Sequence, residues 1–205
     1  MDESTDSRIE HAALNSFARL GYHASSVRGI AAEADVQPAS LYHWYPSKHA
    51  LLVAIMRRFL EGLHREVVGA IEERSGAPAR LAAGVWSHVV YHGANQRAAF
   101  VSDTELRALE GEERDRIVGL RDGYQRIFEQ LIRDGVASGE LHCRDAKVAT
   151  NAILLQCTGV AAWYRPAGAL TLSDVADLHV ELVLRSLDAA TIPSGGSSRD
   201  DMVAL

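Results

Sequence analysis

The segment from Ser25 to Lys48 restricts the fold more than any other part of this sequence, because it encodes two short helices and a tight turn. Ser26 is a good N-cap, and apolar residues recur at helical spacing over residues 27–34. Asp35 then falls where the chain needs a turn residue that tolerates the left-handed conformation. Pro38 suits the first turn of a new helix, where its missing N–H is not needed.

The second of these helices has one face for burial and one polar face. Leu41 and Tyr45 lie four residues apart and can share the buried face. The opposite face carries small or hydrogen-bonding residues, namely Gln37, Ala39, Ser40, Tyr42 and His43. A helix used only for packing does not need such a face. A helix in a DNA major groove does, because small residues let the backbone approach and polar side chains reach base edges or phosphates.

Two stretches of this segment, VRGIA at 27–31 and LYHWYPSK at 41–48, resemble the DNA-binding signature of the TetR family of repressors. The turn departs from the family pattern, because Asp35 stands where glycine is usual. The resemblance implies phosphate contacts from Arg28, Tyr42 and Lys48, and it places Gln37, Pro38, Ala39, Ser40 and His43 in the groove. Ser26 and Val27, at the start of the first short helix, are assigned to the same DNA-binding surface.

The distribution of charge agrees with a DNA-binding module at the N-terminus. The net charge of the whole chain is −6, which argues against a general binder of nucleic acids. Residues 7–60, however, carry more basic than acidic side chains. The basic residues are Arg8, Arg19, Arg28, Lys48, Arg57 and Arg58, and the acidic residues are Glu10, Glu33 and Asp35. This excess of positive charge has the sign that a DNA-binding module requires.

The rest of the chain has helical spacing of apolar residues, with no strand pattern and no internal repeat. The sequence predicts an all-α fold of about nine helices. Residues 1–50 form a three-helix helix-turn-helix domain, in which Ser7 caps the first helix, and residues 51–190 form a domain for effector binding and dimerisation. A fourth helix over about 47–74 links the two. A sixth helix begins at Ser102 or Asp103, the eighth runs from Asp145 to Tyr164, and residues 191–205 form a disordered tail.

Several functional classes lack support in the sequence. There are two cysteines, Cys143 and Cys157, and no long apolar run, so we expect no disulfide framework, no membrane contact and a cytoplasmic location. His88 and His92 lie on one helical face, but without further ligands at suitable spacing they predict buried or pocket-lining histidines rather than a metal site. The sequence contains no GxSxG, P-loop or GxGxxG motif, so we expect no catalytic residues and no cofactor.

The last two predicted helices are apolar on more than one side, which is typical of helices buried on both sides. Small residues along the first of them would allow a second helix to come close. The predicted dimer interface consists of Ala152, Leu155, Gly159, Leu178 and Leu182. A thick monomeric core is the alternative. The TetR resemblance favours the dimer, because it places a four-helix interface here.

Aromatic residues on the fifth to eighth predicted helices could line a ligand cavity, although ordinary core packing explains any single one of them. The candidates are Trp86, Tyr91, Phe100, Tyr124, Phe128 and Trp163. Three segments, TELRAL at 104–109, LRDGY at 120–124 and WYRPAG at 163–168, are similar to a TetR subgroup that controls steroid and fatty-acid breakdown. That likeness implies an acyl-CoA effector, whose phosphates would meet Arg97, Arg121 or Arg165 at the mouth of the cavity.

The sequence therefore predicts a homodimeric TetR-type repressor that binds a palindromic site in double-stranded operator DNA and is released by a small hydrophobic effector. Two alternatives remain open. One is an all-α enzyme that acts on a hydrophobic substrate, and the other is a DNA-binding protein that needs no effector.

Overall fold

In the computed structural model, which describes residues 4–189, the chain is all-α. Ten α-helices and one short 3-10 turn follow one another, and no strand occurs among these residues. The helices are α1 Thr5–Leu20, α2 Val27–Glu33, α3 Pro38–Trp44, α4 Lys48–Glu72, α5 Ala77–Ala94, α6 Gln96–Thr104, α7 Gly111–Ser138, α8 Ala146–Thr158, α9 Val160–Trp163 and α10 Leu172–Ser186, with the 3-10 turn at Glu105–Ala108. The predicted fold class is confirmed. The tail predicted at 191–205 lies outside the described residues.

Three helix boundaries differ from those predicted. The N-cap of α1 is Ser4, whose hydroxyl accepts a hydrogen bond from the backbone N–H of Ser7 at 3.2 Å, so Ser7 lies inside the helix. Helix α6 begins at Gln96 rather than near Ser102, because Asn95 ends α5 and the chain turns at once into the next helix. The predicted eighth helix is divided at Gly159 into α8 and α9.

The buried apolar residues form two cores. The N-terminal core joins α1, α2, α3 and the first half of α4 to part of α6 and the start of α7. Its members beyond α4 are Ala99, Val101, Leu109 and Ile117. The C-terminal core lies among the second half of α4, α5, α7, α8 and α10, and Tyr91 packs against both cores. The division of the chain at residue 50 stays a prediction.

Helix α4 belongs to both cores. Leu51 and Leu52 near its start are fully buried in the N-terminal core, whereas Val67 and Ile71 near its end are buried in the C-terminal core. Its 25 residues form one continuous helix, which begins at the N-cap Ser47. Because the helix runs unbroken through both cores, it offers a continuous path for coupling between them.

None of the helices in the described range has both the length and the hydropathy that crossing a membrane requires.

A close approach of two helices at Gly135 gives a test of the packing. A β-carbon on Gly135 would lie 2.9 Å from that of Ala77 on α5, which cannot rotate away, and would also overlap Leu141. We expect Gly135→Ala to lower the free energy of unfolding, as measured by urea denaturation, by about 1–2 kcal/mol. Gly119 lies on the same helix with open space around it, so Gly119→Ala should raise this free energy by up to about 1 kcal/mol. Equal effects of the two changes would contradict the packing described.

Candidate functional site

The helix-turn-helix has the local geometry that the sequence predicts. The hydroxyl of Ser26 accepts the backbone N–H of Gly29 at 3.1 Å and caps α2. Asp35 adopts a left-handed conformation with φ of 53°, and this turns the chain into α3. Leu41 is fully buried in the N-terminal core, and Tyr45 is nearly so. The opposite face of α3 is open to solvent, with Gln37, Ala39, Ser40, Tyr42 and His43 all exposed.

A single phenol connects the end of α3 to α1. The hydroxyl of Tyr45 donates to the carboxylates of Asp6 at 2.5 Å and Glu10 at 2.8 Å, so the two acceptors share its proton. Arg58 of α4 forms ion pairs with both carboxylates. Burial and these two acceptors raise the pKa of Tyr45, so the phenol remains a donor at any ordinary pH. Helices α1, α3 and α4 are therefore held together by one polar cluster.

The remaining residues predicted to contact DNA differ in their exposure to solvent. Ser26 and Arg28 are exposed, and Val27 and Pro38 are partly buried.

Lys48 is used within the protein. Its ammonium group donates to the backbone carbonyls of Tyr22 at 2.7 Å and Ser25 at 2.8 Å, and it lies 4.3 Å from the centre of the Tyr22 ring. Desolvation lowers the pKa of this ammonium group. In this conformation Lys48 fastens the loop between α1 and α2 to the start of α4.

A group of buried polar side chains lies inside the C-terminal core. Nδ1 of His88 is 2.7 Å from the hydroxyl of Tyr124, and Nε2 is 3.1 Å from the hydroxyl of Thr158 on α8. The His92 ring stacks on that of His88 at 4.0 Å between centroids, and its edge meets Phe59 of α4. Sequence reasoning missed Thr158 and Phe59, because nothing in the local pattern links them to His88 or His92.

Burial keeps these groups neutral. It lowers the pKa of His88 well below the ordinary value and that of His92 to about 4, so neither ring carries a charge near neutral pH. Burial also raises the pKa of Cys157 to about 12, which leaves this thiol protonated and unreactive. No group of three or more potential metal ligands is found in residues 4–189.

The six aromatic residues predicted to line a cavity do not share one location. Tyr124 and Phe128 are buried with ring centroids 5.4 Å apart. Tyr91 is partly buried and packs on Phe59 of α4 at 5.4 Å. The remaining three lie farther out: the indole of Trp86 donates to Asp177 on α10, Trp163 stacks on His179, and Phe100 is half exposed.

Two surface clefts lie elsewhere, where α7 ends and α8 begins. They have volumes of about 490 and 310 Å³ and share Cys143 and Arg144 in their linings. Neither contains any of the six aromatic residues. The ligand-binding role of those six residues stays a prediction.

Helices α8 and α10 present apolar side chains to solvent in the single chain. Leu155 is 77% exposed, Leu182 is 56% exposed and Leu178 is 47% exposed. Ala152 is also exposed, and Gly159 is partly so. All five residues of the predicted interface are thus accessible, and a surface with several large exposed apolar side chains is typical of a protein–protein contact.

Comparison with known proteins gives two family matches that together span most of the chain. The family described as "Bacterial regulatory proteins, tetR family" matches residues 9–55, and the family described as "Tetracyclin repressor-like, C-terminal domain" matches residues 74–187.

Individual relatives agree with these matches. The fatty acid metabolism regulator protein of Bacillus subtilis is 29% identical and is matched over 65% of this chain and 69% of its own length. The HTH-type transcriptional repressor KstR2 of Rhodococcus jostii is 29% identical over 83% of this chain and 85% of its own. A crystal structure of a tetR-family regulatory protein from Rhodococcus RHA1 is 30% identical, covers 93% of this chain and all of its own, and has a TM-score of 0.85.

The contact of Tyr45 with α1 can be tested by removing one oxygen atom. We expect Tyr45→Phe to lower the free energy of unfolding by about 1–3 kcal/mol, because two desolvated carboxylates lose their shared donor. Tyr42, which is half exposed on the same helix, provides the control. Tyr42→Phe should change this free energy by less than about 0.5 kcal/mol. Urea unfolding of both variants measures the difference, and an unaffected Tyr45→Phe protein would show that the cluster does not hold α3.

Proposed function

The chain belongs to the TetR family of bacterial transcriptional regulators, and from this premise we propose that it acts in the cytoplasm as a homodimeric repressor. The α3 helices of its two subunits bind successive major grooves of a palindromic operator, and a small hydrophobic effector releases the DNA. The observation that carries this proposal is the exposed face of α3, whose small and polar residues lie on a backbone fixed by buried Leu41 and Tyr45.

Each DNA contact follows from the chemistry of an exposed side chain. Arg28 at the start of α2 and Tyr42 on α3 supply phosphate contacts, because a guanidinium and a phenol both donate to phosphate oxygens. Gln37, Ser40 and His43 reach base edges. Lys48 acts on phosphate through its remaining N–H and through the loop that it holds in place.

Dimerisation uses the exposed apolar face of α8 and α10. Two copies of this face, related by a two-fold axis, would form a four-helix contact in which Leu155 and Leu182 leave water. The two recognition helices then have a fixed separation, and this separation selects the spacing of the operator half-sites.

The effector in this proposal is an acyl-CoA thioester. The fatty acid metabolism regulator protein of Bacillus subtilis is among the relatives that match more than half of this chain, which supports an effector from fatty-acid metabolism. The C-terminal core offers what an acyl group needs, since Tyr124 and Phe128 are apolar neighbours and the polar tips of His88 and Thr158 lie close by. Arg97 and Arg165 are exposed and would meet phosphates of the CoA.

The signal reaches the DNA-binding surface through α4. Phe59 of α4 contacts both Tyr91 and His92 of α5, so a ligand that displaces those rings also displaces α4. Arg58, one residue away, belongs to the cluster that holds α3. The distance between the two α3 helices of the dimer therefore changes when the effector binds.

The competing functions are an all-α enzyme acting on a hydrophobic substrate and a DNA-binding protein without effector. Family membership favours regulation over catalysis, and we propose no turnover of the bound thioester. Hydrolysis of acyl-CoA by the purified protein would favour the enzyme. A protein that keeps its operator at every effector concentration would favour the second alternative.

The DNA-binding assignment predicts different effects for phosphate and base contacts. We expect Arg28→Ala to weaken binding to operator and to unrelated DNA by a similar factor. It should also lower the slope of log affinity against log salt by about one, because one phosphate contact is lost. Ser40→Ala should instead change the preferred base at one position of each half-site. Binding titrations at several salt concentrations measure both effects, and an unchanged salt slope for Arg28→Ala would contradict the assignment.

The interface predicts that a charge on α10 prevents dimerisation. We expect Leu182→Glu to sediment as a monomer or to aggregate, because an unpaired charge buried in the interface costs several kcal/mol. Leu20 is exposed to a similar degree on α1, away from this face, so Leu20→Glu should remain a dimer. A parent protein that sediments as a stable monomer would overturn the proposal.

The effector assignment predicts that acyl-CoA releases the operator and that free CoA does not. Titration of the DNA complex with acetyl-, butyryl-, octanoyl- and palmitoyl-CoA should lower operator affinity by a factor of about 5–150 for the best of them. Operator DNA must weaken binding of that acyl-CoA by the same factor. Release by the matching free acids alone would reject the thioester but keep the repressor, and release by none would reject the effector site.

A further inference from the structure

Two polar groups at the junction of α6 and α7 are buried without a hydrogen-bond partner in the described part of the chain. They are the hydroxyl of Ser102, whose side chain is fully buried, and the Nε–H of Arg121. They lie close to one another, because Nη2 of Arg121 donates to the backbone carbonyl of Ser102 at 2.5 Å and to the carboxylate of Asp103 at 3.1 Å. Buried donors are normally satisfied, so two unsatisfied donors together require an explanation.

The hydroxyl of Ser102 has an ordinary alternative that it does not use. Hydroxyls within helices usually donate to the carbonyl four residues earlier. Thr104 on the same helix donates to Phe100 in this way at 2.8 Å, and Thr150 on α8 donates to Ala146 at 2.8 Å. The Ser102 hydroxyl makes no such bond, so its hydrogen-bonding capacity is unused within the described part of the chain.

The pair lies between the surface and the buried rings of the C-terminal core. Asp103, next to Ser102, is exposed. On the inner side, the charge of Arg121 acts on His92, and His92 stacks on His88, which contacts Tyr124. A molecule bound here would have one end near solvent and the other among these rings.

The chemistry of the pair selects a neutral acceptor. The Nε–H of Arg121 can only donate, the hydroxyl of Ser102 can also donate, and the positive charge of Arg121 is already balanced by Asp103. A phosphate or carboxylate would meet the Asp103 carboxylate at close range, whereas a carbonyl oxygen can accept from both donors without that repulsion. We infer that Ser102 and Arg121 bind the carbonyl oxygen of the effector's thioester, an inference that rests on the proposed function.

This assignment gives the effector a direction. The acyl chain runs inward toward Tyr124 and Phe128, and the CoA part leaves past the exposed end of α6. Helix α6 also supplies Ala99 and Val101 to the N-terminal core. A ligand that displaces Ser102 would therefore also displace the packing of the DNA-binding module. Arg121 then serves as a carbonyl-binding residue inside the site and not as a phosphate contact at its mouth.

The test compares two ligands that differ only in the carbonyl group. These are octanoyl-CoA and the corresponding thioether, S-octyl-CoA. If another chain length releases the operator better, the acyl-CoA and the S-alkyl-CoA of that length are used instead. The parent protein should respond to the thioester at a concentration about tenfold lower than to the thioether, as expected for two hydrogen bonds to one oxygen. In Ser102→Ala and Arg121→Lys this ratio should fall toward one, because each change removes one of the two donors.

Thr150→Val provides the matched control, since it removes a buried hydroxyl that is already satisfied and lies on another helix. It should keep the tenfold ratio. Because Ser102→Ala removes an unpaired hydroxyl, the melting temperature of this variant should equal or exceed that of the parent protein. That result would exclude misfolding as the cause of a changed ratio.

Three outcomes overturn the inference and are distinguishable. If Ser102→Ala and Arg121→Lys change neither the ratio nor the concentration of thioester that releases the operator, the two residues do not bind the carbonyl, and the acyl-CoA effector stands. If they weaken the response to thioester and thioether equally, the residues act on packing and not on the carbonyl. If the parent protein responds to neither ligand at any chain length, the acyl-thioester effector itself fails, and this inference fails with it.

Discussion

The orientation of α3, the proposed recognition helix, depends on one phenolic hydroxyl. Helix α3 has seven residues, and a helix of that length is not stable by itself in water, so its position must come from tertiary contacts. Leu41 supplies the apolar contact, and Tyr45 supplies the polar one by donating to Asp6 and Glu10. Because Arg58 of α4 pairs with the same carboxylates, α3 cannot move independently of α1 or α4. The contacts tie the three helices into one body, and in the proposed function a signal from the rest of the chain would reach DNA as a displacement of that body.

Two elements connect this body to the C-terminal core. Helix α4 passes through both cores without a break, and α7 places Ile117 in the N-terminal core and Phe128 in the C-terminal core. Packed interfaces shift between discrete arrangements more readily than they deform continuously, so a change around α5 would be transmitted as a movement of α4 and α7. The contact of Phe59 with His92 is one place where the two cores meet directly.

The polar groups inside the C-terminal core are costly, because desolvation penalises every donor and acceptor that leaves water. His88 recovers this cost through Tyr124 and Thr158, and its depressed pKa shows that the neutral ring is the stable form. Where Arg121 of α7 meets Ser102 of α6, the buried Nε–H and hydroxyl recover such a cost only in part. The exposed leucines of α8 and α10 present a different case, because burying them requires a second apolar surface rather than a hydrogen-bond partner.

The sequence by itself determined the features that depend on neighbouring residues. Turn chemistry placed the left-handed residue at Asp35, and helical spacing separated buried Leu41 and Tyr45 from the polar face of α3. The family signature in the same segment gave the regulator class. Only the tertiary structure decided which distant residues meet. In the structure, Lys48 donates to two backbone carbonyls, and His88 contacts Thr158. Helix α6 begins at Gln96, and the predicted eighth helix is divided at Gly159. The tertiary structure also left Phe100 and Trp163 on the surface, away from Tyr124. The spacing of residues along a single helix shows which face is buried, but it does not show which distant residues that face meets.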